Sequence, residues 1–213
     1  MNQYPFFAYI SHFSPILPIG AGIFKIRILH DGIKILFYYL IVAFAADIYF
    51  VWFARGYQFT LGLVHVYYLI EYMFIMSIIS IWQESRRMKR FFQALMLLYI
   101  LFWVIAKLTF EPMNGLYSVT ASASQVLLTL GAGYTLFVVI GNRIQPLMNH
   151  SYFWILLSFV IYYAGTLVTI ALRGILIHYS TENLFLVTSL DWSLKILFNI
   201  LFTIGFLCPQ TRT

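Results

Sequence analysis

Charge is the scarcest property of this chain. Only 9% of its 213 residues are Asp, Glu, Lys or Arg, against about 25% in an ordinary soluble domain. Too few charges are present to cover the surface of a water-soluble fold of this length. A soluble enzyme, a disordered chain and a nucleic-acid-binding domain are therefore excluded. Cysteine occurs once, at Cys208, so no internal disulfide can form and no redox framework is implied. The stretch Met1–Phe7 has no basic region of the kind that opens a cleaved signal peptide, and none is expected. There is no P-loop or other Gly-rich phosphate loop, no His-x-x-x-His spacing, and no readable Ser/His/Asp or Cys/His arrangement. What fills the chain instead is apolar: 62% of residues are hydrophobic, 20% are aromatic, and the mean hydropathy is +0.86.

A membrane-spanning helix needs about 20 mostly apolar residues. Seven segments qualify: Pro5–Phe24, Ile33–Ala54, Leu61–Trp82, Arg90–Leu108, Leu116–Ile140, Ser151–Arg173 and Leu184–Leu207. They predict an all-α, polytopic membrane helix bundle forming a single transmembrane domain. Pro15 and Pro18 interrupt the first segment, which reads as a kinked span; a re-entrant piece, leaving six spans, is the alternative. The connections around Lys25–Gly32, Gln83–Lys89 and Ile175–Asn183 are too short to fold alone. No internal repeat points to an inverted-repeat transporter.

Basic residues set the orientation. Lys25, Arg27, Lys34, Arg86, Arg87, Lys89, Arg90, Arg143 and Arg212 make nine on one side, against Arg55, Lys107 and Arg173 on the other. The basic side faces the cytoplasm, so the N-terminus is expected outside and the C-terminus inside. The same rule accounts for the basic Gln83–Arg90 run without any nucleic acid. Tyr4, Phe6, Trp52, Phe53, Tyr57, Trp82, Tyr152, Trp154 and Tyr179 read as an interfacial belt anchored in the lipid bilayer. The fifth span is small and polar, with Ser118, Thr120, Ser122, Ser124, Gln125, Thr129, Gly131, Gly133 and Thr135. It reads as a buried packing helix in which Gln125 is a candidate to line a cavity.

Ionisable groups inside hydrocarbon cost about 2.5–3.5 kcal/mol each on insertion scales. Four such residues nevertheless fall within predicted spans: Asp47, Glu71, Asp191 and Lys195. Counted from the outer ends of their spans, their depths are roughly 10, 15, 10 and 16 Å. They thus share a layer from the outer third to the midplane, and His12 and His65 fall in the outer third as well. On the last span Asp191, Lys195 and Asn199 are spaced i, i+4, i+8 and lie on one face, with Thr188 one turn further out. That spacing lets Asp191 pair with Lys195. On the third span Tyr67 and Tyr68 precede Glu71 by four and three residues, within reach of its carboxyl, and His65 lies a third of a turn away. Such stripes must face protein or water rather than lipid.

Two resemblances follow from these residues. Ser14-Pro15-Ile16 with Pro18, His65-x-Tyr67 with Glu71, Phe153-Trp154 followed by Tyr162-Tyr163-Ala164-Gly165, and Trp192 followed by Asn199-Ile200-Leu201 resemble a family of small seven-span bacterial membrane proteins without an assigned activity. That resemblance implies architecture and a bacterial inner membrane, not a role. Locally, Leu190-Asp191-Trp192-Ser193-Leu194-Lys195 resembles the seventh helix of microbial rhodopsins. It implies retinal as cofactor, Lys195 as the Schiff-base lysine, and Asp191, with Glu71, as counter-ion. The chain departs from the rhodopsin pattern in lacking an Arg three residues before the third-span carboxylate and in lacking the paired sixth-span Trp residues. Phe159, Tyr162 and Tyr163 stand in that region instead.

The expected function is non-enzymatic. A small ligand or signal would be sensed in a polar cluster of Asp47, His65, Tyr67, Tyr68, Glu71, Asp191, Lys195 and Asn199. With no output domain in its connections, such a module would act through a partner protein, contacted at Gln83–Arg90. A retinal photoreceptor or pump is one alternative. An intramembrane metal-dependent hydrolase using His12, His65, His178, Asp47 and Glu71 is another, since three His or carboxylate ligands around an open position are what that chemistry needs.

Overall fold

A computed structural model of the chain describes residues 6–29, 31–52, 57–113, 119–141, 147–176 and 181–208. Tyr4, Phe53, Arg55, Ser118, Arg143, His178, Tyr179 and Arg212, all singled out above, lie outside them, as do the span limits Pro5, Ala54 and Leu116. The described residues form helices α1 (Phe6–Phe13), α2 (Ile16–Lys25), α3 (Asp31–Trp52), α4 (Tyr57–Ile81), α5 (Arg86–Thr109), α6 (Val119–Gly141), α7 (Ser151–Leu176) and α8 (Thr181–Leu207), with a 3₁₀ turn at Leu147–Asn149. Seven segments among them are long and apolar enough to cross a membrane: Phe6–Lys25, Gly32–Tyr49, Gly62–Ile81, Arg86–Thr109, Val119–Val138, Ser151–Arg173 and Phe185–Leu207. Each falls within a few residues of its counterpart read from the sequence. The protein is a multi-pass helix bundle.

The first span is a kinked one. Pro15 has no N–H, so the Ser11 carbonyl loses its usual helical donor. The Ser14 hydroxyl donates to that carbonyl instead, at 2.7 Å. The chain breaks there and restarts as α2. Pro18 causes no second break because it sits in the first turn of α2, where a backbone N–H has no intrahelical partner anyway.

The connections decide the directions of the helices. Four residues separate α3 from α4, and a chain of that length extends at most about 14 Å. Helix α3 is 22 residues long, about 33 Å, so α4 must run back the opposite way. The same holds around the bundle. α1 and α2 pack on α8 and α3, α3 on α4, α4 on α6, α6 on α7 and α7 on α8, which closes a ring. α5 packs outside it, on α4 and α6. Close approach of α7 and α8 is permitted by Gly205, where an added Cβ would stand 2.8 Å from Ile155 Cγ1 and 3.3 Å from the Ser151 carbonyl oxygen.

The two halves of the bundle differ. Where α3, α5 and α7 begin and α4, α6 and α8 end, the interior is filled by Ile33, Leu36, Phe37, Ile75, Met76, Ile79, Phe92, Ile155, Phe159, Phe202 and Phe206, all buried. Exposed Arg27, Arg86, Arg87, Lys89 and Arg90 mark the same end. The opposite half holds the polar groups described next.

Candidate functional site

Helical spacing brings polar side chains from three helices to one space. Tyr39, Ala43 and Asp47 recur every four residues on α3. Val64, Tyr67, Tyr68 and Glu71 follow the i, i+3, i+4, i+7 rule on α4, and Lys195, Phe198 and Asn199 do so on α8. With Pro15 at the kink and Tyr162 of α7, they line a cavity of about 220 Å³. Glu71 is 6% exposed. Its Oε1 accepts hydrogen bonds from the phenols of Tyr39, at 3.1 Å, and Tyr163, at 3.3 Å. Tyr67 is hydrogen-bonded in turn to Tyr39. Two turns along α3, about 12 Å from Tyr39, Asp47 Oδ2 accepts from Lys195 Nζ at 2.5 Å. The side chains of this ion pair keep 21% and 22% exposure, so they are more accessible than Glu71.

Asn199 ties the cavity to the kink. Its Nδ2 donates to Ser14 Oγ at 2.8 Å and to the Lys195 carbonyl at 2.9 Å. The hydroxyl that satisfies the carbonyl freed at the bend is thereby held by α8.

Six of the eight residues expected to form one cluster therefore share the cavity: Asp47, Tyr67, Tyr68, Glu71, Lys195 and Asn199. Asp191 and His65 are directed elsewhere. Asp191 does not serve as the partner of Lys195. Its carboxylate accepts from Thr169 Oγ1 and is paired with Arg173, both on α7. It lies one turn, about 6 Å, beyond Lys195 along α8, level with the guanidinium, while Lys195 reaches across to α3. His65, a third of a turn off the Glu71 face, points toward α5. Its Nδ1 accepts from Lys107 Nζ at 3.1 Å, and Lys107 is ion-paired with Glu111. Glu111 also accepts from the Thr120 backbone N–H, at 2.9 Å, and the Thr120 hydroxyl, at 2.8 Å, near the start of α6. His65 and Glu111 are each 4% exposed and the Lys107 side chain 6%. This network was not read from the sequence, although Lys107 and Glu111 stand at i, i+4 beside the end of the fourth predicted span.

Tyr39, Tyr162 and Tyr163 were also missed as site residues. Tyrosines are so frequent here, 16 in all, that nothing local separates those facing a carboxyl from those that pack. Gln125 is buried in the contact of α6 with α7, where Oε1 accepts from Thr166 at 3.0 Å, and it does not line the cavity. Hydroxyls of Ser124, Thr129 and Thr135 bond back to their own helix, as in a packing helix.

Among the described residues no three His, Cys, Asp or Glu side chains stand close enough to hold a metal ion. His65 has gone to Lys107, and Asp47 to Lys195. The arrangement defines a class: a seven-span helix bundle with an ion pair, a phenol-bonded carboxyl and an amide around one cavity. Comparison with protein families, with curated proteins and with solved structures finds no match to this chain.

Proposed function

We propose that this chain is a small-ligand-binding, signal-sensing module of a bacterial inner membrane, with its N-terminus outside. The cavity carries the reading: costly charges from three helices converge on a space that no catalytic constellation uses. The positive-inside rule puts the exposed arginines and lysines of the apolar half on the cytoplasmic side, so the cavity opens toward the outer side. Phe159, Phe202, Phe206, Ile75 and Ile79 close the path below it. That seal favours a receptor over a conduit. The connections are short, and the start of α5, just after the Trp82–Ser85 connection, is exposed and basic through Arg86, Arg87, Lys89 and Arg90, which supports signalling through a partner protein docked at the cytoplasmic face.

A second reading, a retinal protein with Lys195 as Schiff base, is favoured by the presence of Lys195 in the cavity. In that case Asp47, not Asp191, would be its counter-ion. The volume argues against it. About 220 Å³ is below the roughly 300–1,000 Å³ of drug-sized sites, and suits a small solute better than a long polyene.

A thermal-unfolding screen of the purified protein against small solutes tests the main reading. At least one solute should raise the midpoint of the natural chain and lose its effect in Lys195→Ala and Glu71→Gln. A ligand at a hundred times its Kd stabilises by about 2.7 kcal/mol, a shift well within reach of the method. No stabilising solute, together with a Lys195-dependent visible band on adding all-trans retinal, would replace this reading with the second.

A further inference from the structure

The cavity lining carries more carboxyls than cations. It holds two carboxyls, Asp47 and Glu71, and among the described residues one cation, Lys195. Lys195 is spent on Asp47 at 2.5 Å. Glu71 has phenol donors on Oε1 and sits 6% exposed at the closed end. An anionic ligand would have to break the ion pair to find a counter-charge. A cationic one would bring Glu71 the partner that burial makes costly to lack.

The walls agree with the charge. Tyr67 and Tyr68 of α4, ring centroids 6.3 Å apart, line the cavity. Tyr162 of α7 and Phe198 of α8, centroids 4.6 Å apart, line it as well. Aromatic rings attract cations through their quadrupole, most strongly where water is excluded, and cages of this composition recognise alkylammonium groups. A neutral or anionic solute gains nothing comparable from the rings. The volume of about 220 Å³ limits the ligand to a small head group.

We infer that the ligand is a small organic cation, a primary or quaternary ammonium, held among these rings with its charge on Glu71. This rests on the ligand-binding reading above and narrows it.

The test uses the full chain in nanodiscs and four probes: choline, ethylammonium, the uncharged choline isostere 3,3-dimethyl-1-butanol, and acetate. Choline or ethylammonium should bind saturably, with the isostere at least about tenfold weaker and acetate silent. Glu71→Gln should weaken the cation about tenfold or more. Tyr162→Phe, which keeps the ring, should bind like the natural chain, whereas Tyr162→Leu should not. The comparison of choline with its isostere uses the unaltered chain, so it stands even where a variant fails to fold. Equal binding of choline and 3,3-dimethyl-1-butanol, or binding of acetate alone, overturns the cation and leaves the ligand-binding reading in place. Binding of none of the four, with other solutes still stabilising the protein in the broader screen, does the same. Failure of every solute in both experiments overturns both.

Discussion

Lys195→Met removes one ammonium and keeps a flexible side chain of similar reach. Asp47 is then left in the bundle without the partner that holds it at 2.5 Å. For a fully buried pair the loss of one member costs about 3–5 kcal/mol. Here the two side chains retain 21% and 22% exposure, so residual hydration of Asp47 reduces the loss to about 2–3 kcal/mol. Replacing both members, as in Lys195→Met with Asp47→Leu, removes the uncompensated charge and should recover most of that loss, because apolar substitutes for a buried pair are often neutral or better. The double-mutant cycle should therefore show a coupling of about 2 kcal/mol. Unfolding in mixed micelles of increasing SDS content, followed by tryptophan fluorescence, measures each corner. A Lys195→Met chain within about 0.5 kcal/mol of the natural one, or additive losses within about 0.5 kcal/mol, would refute the claim that this pair fastens α3 to α8.

Other parts of the bundle give further tests in the same assay. Gly205→Ala should destabilise by about 1–3 kcal/mol through overpacking, because its Cβ would meet Ile155 at 2.8 Å. Gly133→Ala, with open space around it, should be neutral; equal behaviour of the two would show that α7 and α8 are not in close contact there. Glu111→Gln strips the counter-charge from Lys107 and should cost about 3–5 kcal/mol, largely restored by adding Lys107→Met; a double variant no better than the single one would contradict the buried network. Ser14→Ala removes both the donor to Ser11 and the acceptor for Asn199, and should cost about 1–2 kcal/mol. An unchanged unfolding curve would mean that the kink does not depend on that hydroxyl.

Much of the architecture is legible without coordinates. A run of about 20 apolar residues has no stable place except hydrocarbon, so span count and rough limits follow from composition alone. The kink was legible for the same local reason: a proline removes its own N–H wherever the helix sits. The depth of Asp47, Glu71 and Lys195 could be counted along each helix, and all three do line one cavity. Their partners could not be counted. Spacing on α8 points to Asp191 with Lys195, yet each crosses to a different helix, to Arg173 on α7 and Asp47 on α3. Lys107 and Glu111 are visible as an i, i+4 pair, but nothing near them announces His65 and Thr120, which arrive from other helices.

The residues by themselves thus determined what depends on transfer from water to lipid: seven apolar segments of spanning length, a first one interrupted by proline, and the level at which charge is buried. Each of these is a property of one helix in one solvent. Which carboxyl meets which cation, and which five of the many aromatic rings wall the cavity, was decided only by how the helices lie side by side. Partner choice is a contest between helices, and its outcome depends on distances that no single segment contains.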